Sequence, residues 1–214
     1  MDANSNGVVD GGETGNSTDS VSAADIAAGR LKFKPVANAN GSGYDSFTFQ
    51  VQDNGGTANG GVDTDASANT MTIDVTSVND EPAGADNTVS TLEDTDLVFV
   101  AGDFGFSDAS DSPANALLNV IVTTTVSTGT LYVDANSNGV VDGGETVNST
   151  DSVSAADIAA GRLKFKPVAN ANGSGYDSFT FQVQDNGGTA NGGVDTDASA
   201  NTMQRRSMRR DDSG

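Results

Sequence analysis

Two stretches of the chain place oxygen-bearing side chains at the spacing a hard cation needs. Residues 2–13 read DANSNGVVDGGE, and the same twelve residues return at 134–145. In the first stretch, positions one, three, five, nine and twelve are Asp2, Asn4, Asn6, Asp10 and Glu13. In the second they are Asp134, Asn136, Asn138, Asp142 and Glu145. Ca²⁺ takes about six to eight oxygens at roughly 2.3–2.6 Å. A tightly wound loop points alternate side chains inward, which accounts for positions one, three and five. Gly7 and Gly139 stand at position six, where the backbone turns in a way that side chains resist. Val8 and Val140, at position seven, would contribute only their carbonyls. The spacing fits the pattern D-x-[DN]-x-[DN]-G-x5-E of an EF-hand-type calcium loop. The competing reading is a solvated Asn/Asp/Gly turn. With Asn at positions three and five, each loop has three carboxylates, which predicts binding at ~10⁻⁴ to 10⁻³ M, as in extracellular modules.

An EF-hand also has a helix on each side of its loop. Here the second loop follows GTLYV, residues 129–133, which reads as a strand, so the loop is expected on a β-domain. Other strands show the same alternation. In SFTFQVQ, 46–52, Phe47, Phe49 and Val51 share one face. LKFK, 31–34, places both Lys outward, and TIDVTSV, 72–78, is a further strand. Residues 88–92, 97–101 and 117–125 are also strand candidates. Asn-Gly and Asn-Gly-Gly turns separate the strands. Only SAADIAAG, 22–29, reads as helical, with Ser22 as N-cap and Gly29 as stop. Seven or so short strands per unit predict an all-β, two-sheet sandwich with one short helix.

The 214 residues carry 30 Asp+Glu against 10 Lys+Arg, a net charge of −20. Nucleic acid and anionic membranes would repel such a chain, so neither is an expected partner. Aromatic residues make up 6% and Gly numbers 26, so the core is thin and needs help from ions or neighbouring domains. With no Cys, disulfides are not that help. No apolar run approaches membrane-spanning length, so no membrane insertion is expected.

The repeat is larger than the loop. Residues 2–71 match 134–203 at 69 of 70 positions, the exception being Gly15 against Val147. A period of 132 residues is a whole domain. The first copy lacks the strand that precedes the loop, with Met1 standing where Val133 would be. The second copy gives way after Met203 to QRRSMRRDDSG, which holds four of the ten basic residues. Residues 1–78 are therefore read as the C-terminal part of one repeat and 79–203 as a second repeat lacking its last strand. Residues 204–214 read as a tail of foreign composition. An unfilled sheet edge predicts strand exchange between copies, giving a homo-oligomer.

The stretches SAADIAAGRLKFKPVANANGSGYDSFTFQVQDNGG, VNDEPAG, TLEDTDLVF and DFGFSDASDSPANAL resemble the cadherin-like and VCBS-type repeats of large bacterial surface and secreted proteins. The resemblance covers residues 14–203. It implies immunoglobulin/cadherin-like sandwiches in tandem, with neighbouring repeats of the same parent as partners. It also implies export by type I secretion and an extracellular or cell-surface location. By analogy with the calcium sites at cadherin domain junctions, VNDEP offers Asn79 and Asp80, TLEDT offers Glu93 and Asp94, and the two QDNGG stretches offer Asp53 and Asp185. Surface acids at strand ends are the competing reading for all six.

Zero His and zero Cys exclude a Ser-His-Asp triad, a Cys nucleophile and an ordinary zinc site. The remaining enzymatic reading is a calcium-dependent hydrolase of an ester or lactone, in which the ion polarises a carbonyl. The sequence favours the structural reading, a calcium-stabilised adhesive repeat, with Ca²⁺ as its only implied cofactor and no catalytic residues.

Overall fold

A computed structural model describes residues 1–209 except Ala3 and Gly11. Residues 210–214, the end of the expected tail, lie outside the described residues. The chain divides into two units, Met1–Val75 and Thr76–Gly214.

The first unit contains helix α1 (Ala23–Ala27) and strands β1 (Gly41–Phe49) and β2 (Asn69–Val75). Ser22 caps α1 as the sequence predicts, its Oγ accepting the Asp25 amide at 3.1 Å. Gly29 follows at φ +67° and ends the helix. β1 and β2 form an antiparallel pair in which Phe47 lies opposite Met71.

The second unit begins with β3 (Asn87–Leu92), β4 (Leu97–Val98), β5 (Leu117–Thr124) and β6 (Thr130–Val133). After the second loop come β7 (Ser152–Ser154), helix α2 (Ala155–Ala159) and β8 (Leu163–Lys166). β9 (Gly173–Asp185) and β10 (Asn201–Met208) complete it. One sheet has the order β3-β10-β9-β5-β7 and the other β4-β8-β6. The protein is thus β-rich with little helix. Both sheets supply one apolar cluster. Phe99, Phe104, Val120, Val122 and Leu131 come from before the second loop, while Leu163, Phe165, Phe179, Phe181 and Met203 come from after it. Phe99 meets Phe179 edge-on at 5.6 Å, and Phe104 meets Phe181 at 5.0 Å.

The two copies of one sequence differ in structure, and the difference follows their neighbours. LKFK is strand β8 at 163–166, paired with β4 and β6, but is irregular at 31–34. The strand expected at 31–34 therefore forms only in the second copy. β9 extends to Asp185 because β5 pairs with its last residues, whereas β1 stops at Phe49. The first unit holds no equivalents of β4, β5 and β6 among its described residues. Its apolar face is accordingly open: Phe47 is 44% exposed where Phe179 is 1% exposed, and Phe33 is 42% where Phe165 is 1%. The single difference between the copies also lies in this core, since Val147 is buried and Gly15 is exposed.

The sequence led us to expect that the second unit would stop at Met203 with a sheet edge unfilled. The structure differs. Residues 204–208 of the tail continue β10, which lies between β9 (antiparallel) and β3 (parallel). Backbone hydrogen bonding takes no account of side-chain identity, so a polar segment can still complete a ladder. This removes the open edge on which strand exchange was argued. The alternation of β10 turns Gln204 and Arg206 outward and Arg205 and Ser207 inward. Arg205, which matches Ile73 of the first copy, is 1% exposed. Its guanidinium lies 3.5 Å from the centre of the Phe165 ring and 3.1 Å from Asp177. Among the described residues its nitrogens Nε, Nη1 and Nη2 are buried without hydrogen-bond partners, Nη2 being held to Asp177 as an ion pair. Desolvation lowers its pKa to about 10, against the pull of Asp177, so it stays charged at neutral pH.

A buried ion pair commonly recovers less than its desolvation costs. Arg205→Ile restores the residue of the first copy and leaves Asp177 held by the Ser127, Thr128 and Ser178 amides. Removing one partner leaves the Asp177 charge buried without its cation, so the substitution alone is expected to lower the stability of the second unit by about 3–5 kcal/mol, read from thermal or urea midpoints. A raised midpoint would mean that relief of Arg205 desolvation outweighs the lost bond to Asp177 and the contact with Phe165.

Candidate metal loops

The second loop is tied at its base by main chain. The Val133 amide donates to the Glu145 carbonyl at 2.8 Å, and the Asp134 amide to the Arg162 carbonyl at 2.9 Å. The loop therefore hangs from the β6–β8 pair, as GTLYV foretold. Asp134, at position one, is fully buried. Its Oδ1 accepts the Asn138 amide and its Oδ2 the Gly139 amide, each at 3.0 Å. Gly139 has φ +74°, the left-handed turn expected at position six. Asn136 Oδ1 accepts the Asn138 amide at 3.0 Å, and Asn138 Oδ1 accepts the Val140 amide at 2.7 Å. Both Asn side chains donate Nδ2 to Asp142 Oδ2, at 2.8 and 2.9 Å. Glu145 closes the ring, its Oε2 accepting the Asp142 amide and its Oε1 the Ala135 amide, both at 2.9 Å.

The first loop repeats this arrangement. Asp2 accepts the Asn6 and Gly7 amides, Asn4 and Asn6 donate to Asp10, and Glu13 accepts the Asp10 amide. Asn6 Oδ1 accepts the Val8 amide at 2.8 Å. In both copies the predicted loop residues are thus linked to one another through side chains and backbone amides, with Val8 and Val140 at the turn. Among the described residues, no group of three Asp, Glu, His or Cys side chains stands out as a metal-holding cluster. The loops instead bring together carboxylate and amide groups.

Sequence reading missed the cation already present. Both Lys of LKFK lie on the face away from Leu163 and Phe165, as expected, and from there Lys164 Nζ meets Asp134 Oδ2 at 2.6 Å, while Lys32 meets Asp2 at 2.5 Å. Spacing alone hides this, because it depends on a long-range tie present in both copies, the Asp134 amide to the Arg162 carbonyl and the Asp2 amide to the Arg30 carbonyl. The Lys164 hydrogen bond is the main cause holding the Asp134 carboxyl below the usual range; burial opposes it, and the Gly139 and Asn138 amides assist. Tyr132, beside the loop, donates to Asp96 at 2.7 Å. Burial first, then Asp96, pushes its hydroxyl far up.

The other acidic candidates separate into three groups. Asn79 and Asp185 meet: Asn79 Nδ2 donates to Asp185 Oδ1 at 3.0 Å and to the Val194 carbonyl at 2.7 Å. Asn115 Nδ2 reaches Asn79 Oδ1 at 2.5 Å, and the Asp80 amide donates to Asp111 at 3.0 Å. Asp108 lies buried nearby, accepting the Asn115 amide on Oδ2 while its Oδ1 has no partner. Asn115 was not singled out from the sequence. Burial pushes the Asp185 carboxyl up, Gly187 and Asn79 pull it down, and Asp108 and Asp195 add to the rise. Glu93 and Asp94 lie elsewhere, bonded to Asn172 at 2.8 Å and to the Asn170 amide at 2.7 Å. Asp53, the first-copy match of Asp185, is exposed and accepts the Gly55 amide at 2.7 Å.

Comparison with sequence families, characterised proteins and solved structures finds no match to this chain.

The shifts of Asp134 and Asp185 have opposite signs. Asp134 is lowered, so its contribution is complete above the ordinary carboxylate value of about 3.9 and is lost as pH falls from there. Asp185 is raised, so its ionisation costs stability at neutral pH and the cost is relieved as pH falls through its raised value. Melting midpoints between about pH 7 and pH 3 are expected to show this. The deficit of Asp134→Asn shrinks only at the acid end. Any advantage of Asp185→Asn is lost earlier in the descent. Parallel curves for both variants and the parent would contradict these assignments.

Proposed function

We propose that the chain is a calcium-binding, calcium-stabilised segment of a large extracellular bacterial repeat protein, its units serving as structural or adhesive arms. In this reading the second unit is an immunoglobulin/cadherin-like β-sandwich, and neighbouring repeats are its partners. The observation that carries the reading is the second loop: every position of the calcium pattern is filled, and five of its side chains are drawn together around a left-handed glycine. The donor set fits Ca²⁺, since Asp134, Asn136, Asn138, Asp142 and Glu145 offer only hard oxygens. Each amide oxygen that accepts one backbone N–H keeps a second lone pair. Val140 would add its carbonyl. The first loop would use Asp2, Asn4, Asn6, Val8, Asp10 and Glu13 in the same way.

The ion would supply positive charge to an acidic loop in which Lys164 meets Asp134. Calcium and the Lys164 ammonium therefore compete for Asp134. The unfolded chain lacks the arranged loop, so binding energy adds to folding stability. At a free concentration near 100 times Kd, one site adds about 2.7 kcal/mol. For a domain of this size that is a rise of about 10 °C in Tm.

Calorimetry with Ca²⁺ and paired melting curves test the reading. The parent chain is expected to bind and to melt higher in calcium than in EDTA. Glu145→Gln is expected to lose most of the shift of the second unit, while Lys164→Gln binds more tightly than the parent. Identical melts in calcium and EDTA, with no heat of binding, would remove the proposal.

A further inference from the structure

The first unit presents an apolar face whose natural cover can be read from the second. Ile26, Leu31, Phe33, Phe47, Val51 and Met71 are all exposed. Their counterparts Ile158, Leu163, Phe165, Phe179, Val183 and Met203 are all buried. The sequence around them is the same, so only the cover differs. In the second unit that cover is the segment from β3 to β6. β5 pairs with β9, setting Val122 opposite Phe181. β6 pairs with β8, setting Leu131 opposite Phe165, and β4 pairs with the other edge of β8. β3 lies along β10 with Asn87 opposite Met203. Phe99 and Phe104 meet Phe179 and Phe181 edge to face.

We propose that the open face of the first unit is a docking surface for a half-repeat: a segment with the strand pattern and apolar residues of 76–133. The chemistry of the occupant follows from complementarity already present in this chain. It must bring an edge strand to pair beside Gln50–Asp53, as β5 pairs beside Gln182–Asp185. It must bring a second to pair with LKFK at 31–34, as β6 pairs with 163–166. Its apolar residues must match Phe99, Phe104, Val120, Val122 and Leu131. The first unit is well suited to receive it, because Ile73 stands where the second unit buries Arg205. A second copy of the whole chain is a poorer occupant. Its own 76–133 segment already covers its own 134–208, and exchange would only move the exposure from one molecule to the other. The inference rests on the internal duplication and not on calcium.

The probe is a separate polypeptide of residues 76–133, titrated into the full chain and followed by calorimetry and hydrogen exchange. One probe is expected per chain, with new amide protection at residues 31–34 and 50–53. Phe47→Asp in the full chain, at a site already facing solvent, is expected to weaken binding at least tenfold. A probe carrying Val120→Asp and Val122→Asp is expected not to bind. Absence of binding by the parent probe overturns the proposal. Binding that survives Phe47→Asp also overturns it, because the probe would then be exchanging into the second unit. Binding by the double-Asp probe would show indiscriminate adhesion and overturn it as well. Self-association of the chain without probe, abolished by Phe47→Asp, would make a second copy the occupant and refute the choice made here.

Discussion

Burial of one apolar sheet face beneath the half-unit that precedes it in sequence is the constraint on which the rest of this structure depends. The chain tests this internally. Leu163 and Phe165 sit in a strand because β6 and β4 lie beside them, while Leu31 and Phe33 have no such neighbours and no strand. α2 and α1 have the same length and the same Ser cap, because capping is local and needs no partner. Ile158 on α2 is nevertheless buried and Ile26 on α1 is not. Local chemistry therefore decides that a turn of helix forms, and tertiary cover decides whether it contributes to a core.

The same division explains what could be read without coordinates. Period-two alternation located β8 and β9, because a half-buried strand writes its burial into every second residue, while β3, β5 and β6 were legible as strand candidates between turn signals. The Ser22 and Ser154 caps and the glycines at loop position six were equally legible, since each reflects a backbone requirement within a few residues. Long-range facts were not. LKFK carries one pattern at two places, and nothing within it says which copy has a partner strand. Lys164 meets Asp134 across thirty residues because the Asp134 amide is tied to the Arg162 carbonyl, as Asp2 is tied to Arg30 in the first copy. Asn79 meets Asp185 across 106 residues, and Asn115 joins them for reasons of topology alone.

The acidic surplus is handled by geometry as much as by countercharge. With ten basic residues for thirty acids, most carboxylates have no cation to meet. Many turn instead to backbone amides: Asp103 to Val100, Asp151 to Asn148, Asp65 to Ser67 and Asp197 to Gly84. An amide donor stabilises a carboxylate without adding net charge, so it arranges the loops while leaving the chain strongly negative. That remaining field is what gives a divalent cation leverage. Where Lys32 and Lys164 each place one positive charge against a buried aspartate, a doubly charged ion among the same oxygens would neutralise more of the loop.

The last strand separates the two requirements that a sheet imposes. Its ladder is satisfied by any backbone that can extend, so a segment reading QRRSM fills the place held by TIDVT in the first copy. Its inward face is not so tolerant. Every second residue must enter the space that Phe165 and Phe179 line, and Arg205 enters as a cation with two buried nitrogens unpaired. The methylene stem packs as an aliphatic side chain would, and the flat guanidinium lies on Phe165 as a ring would. Shape is thus largely met while solvation is not. It follows that the hydrogen-bond pattern of a strand is weak evidence that its sequence evolved for that place. The stronger evidence is whether the inward residues need the core, and by that measure Ile73 fits the position and Arg205 does not.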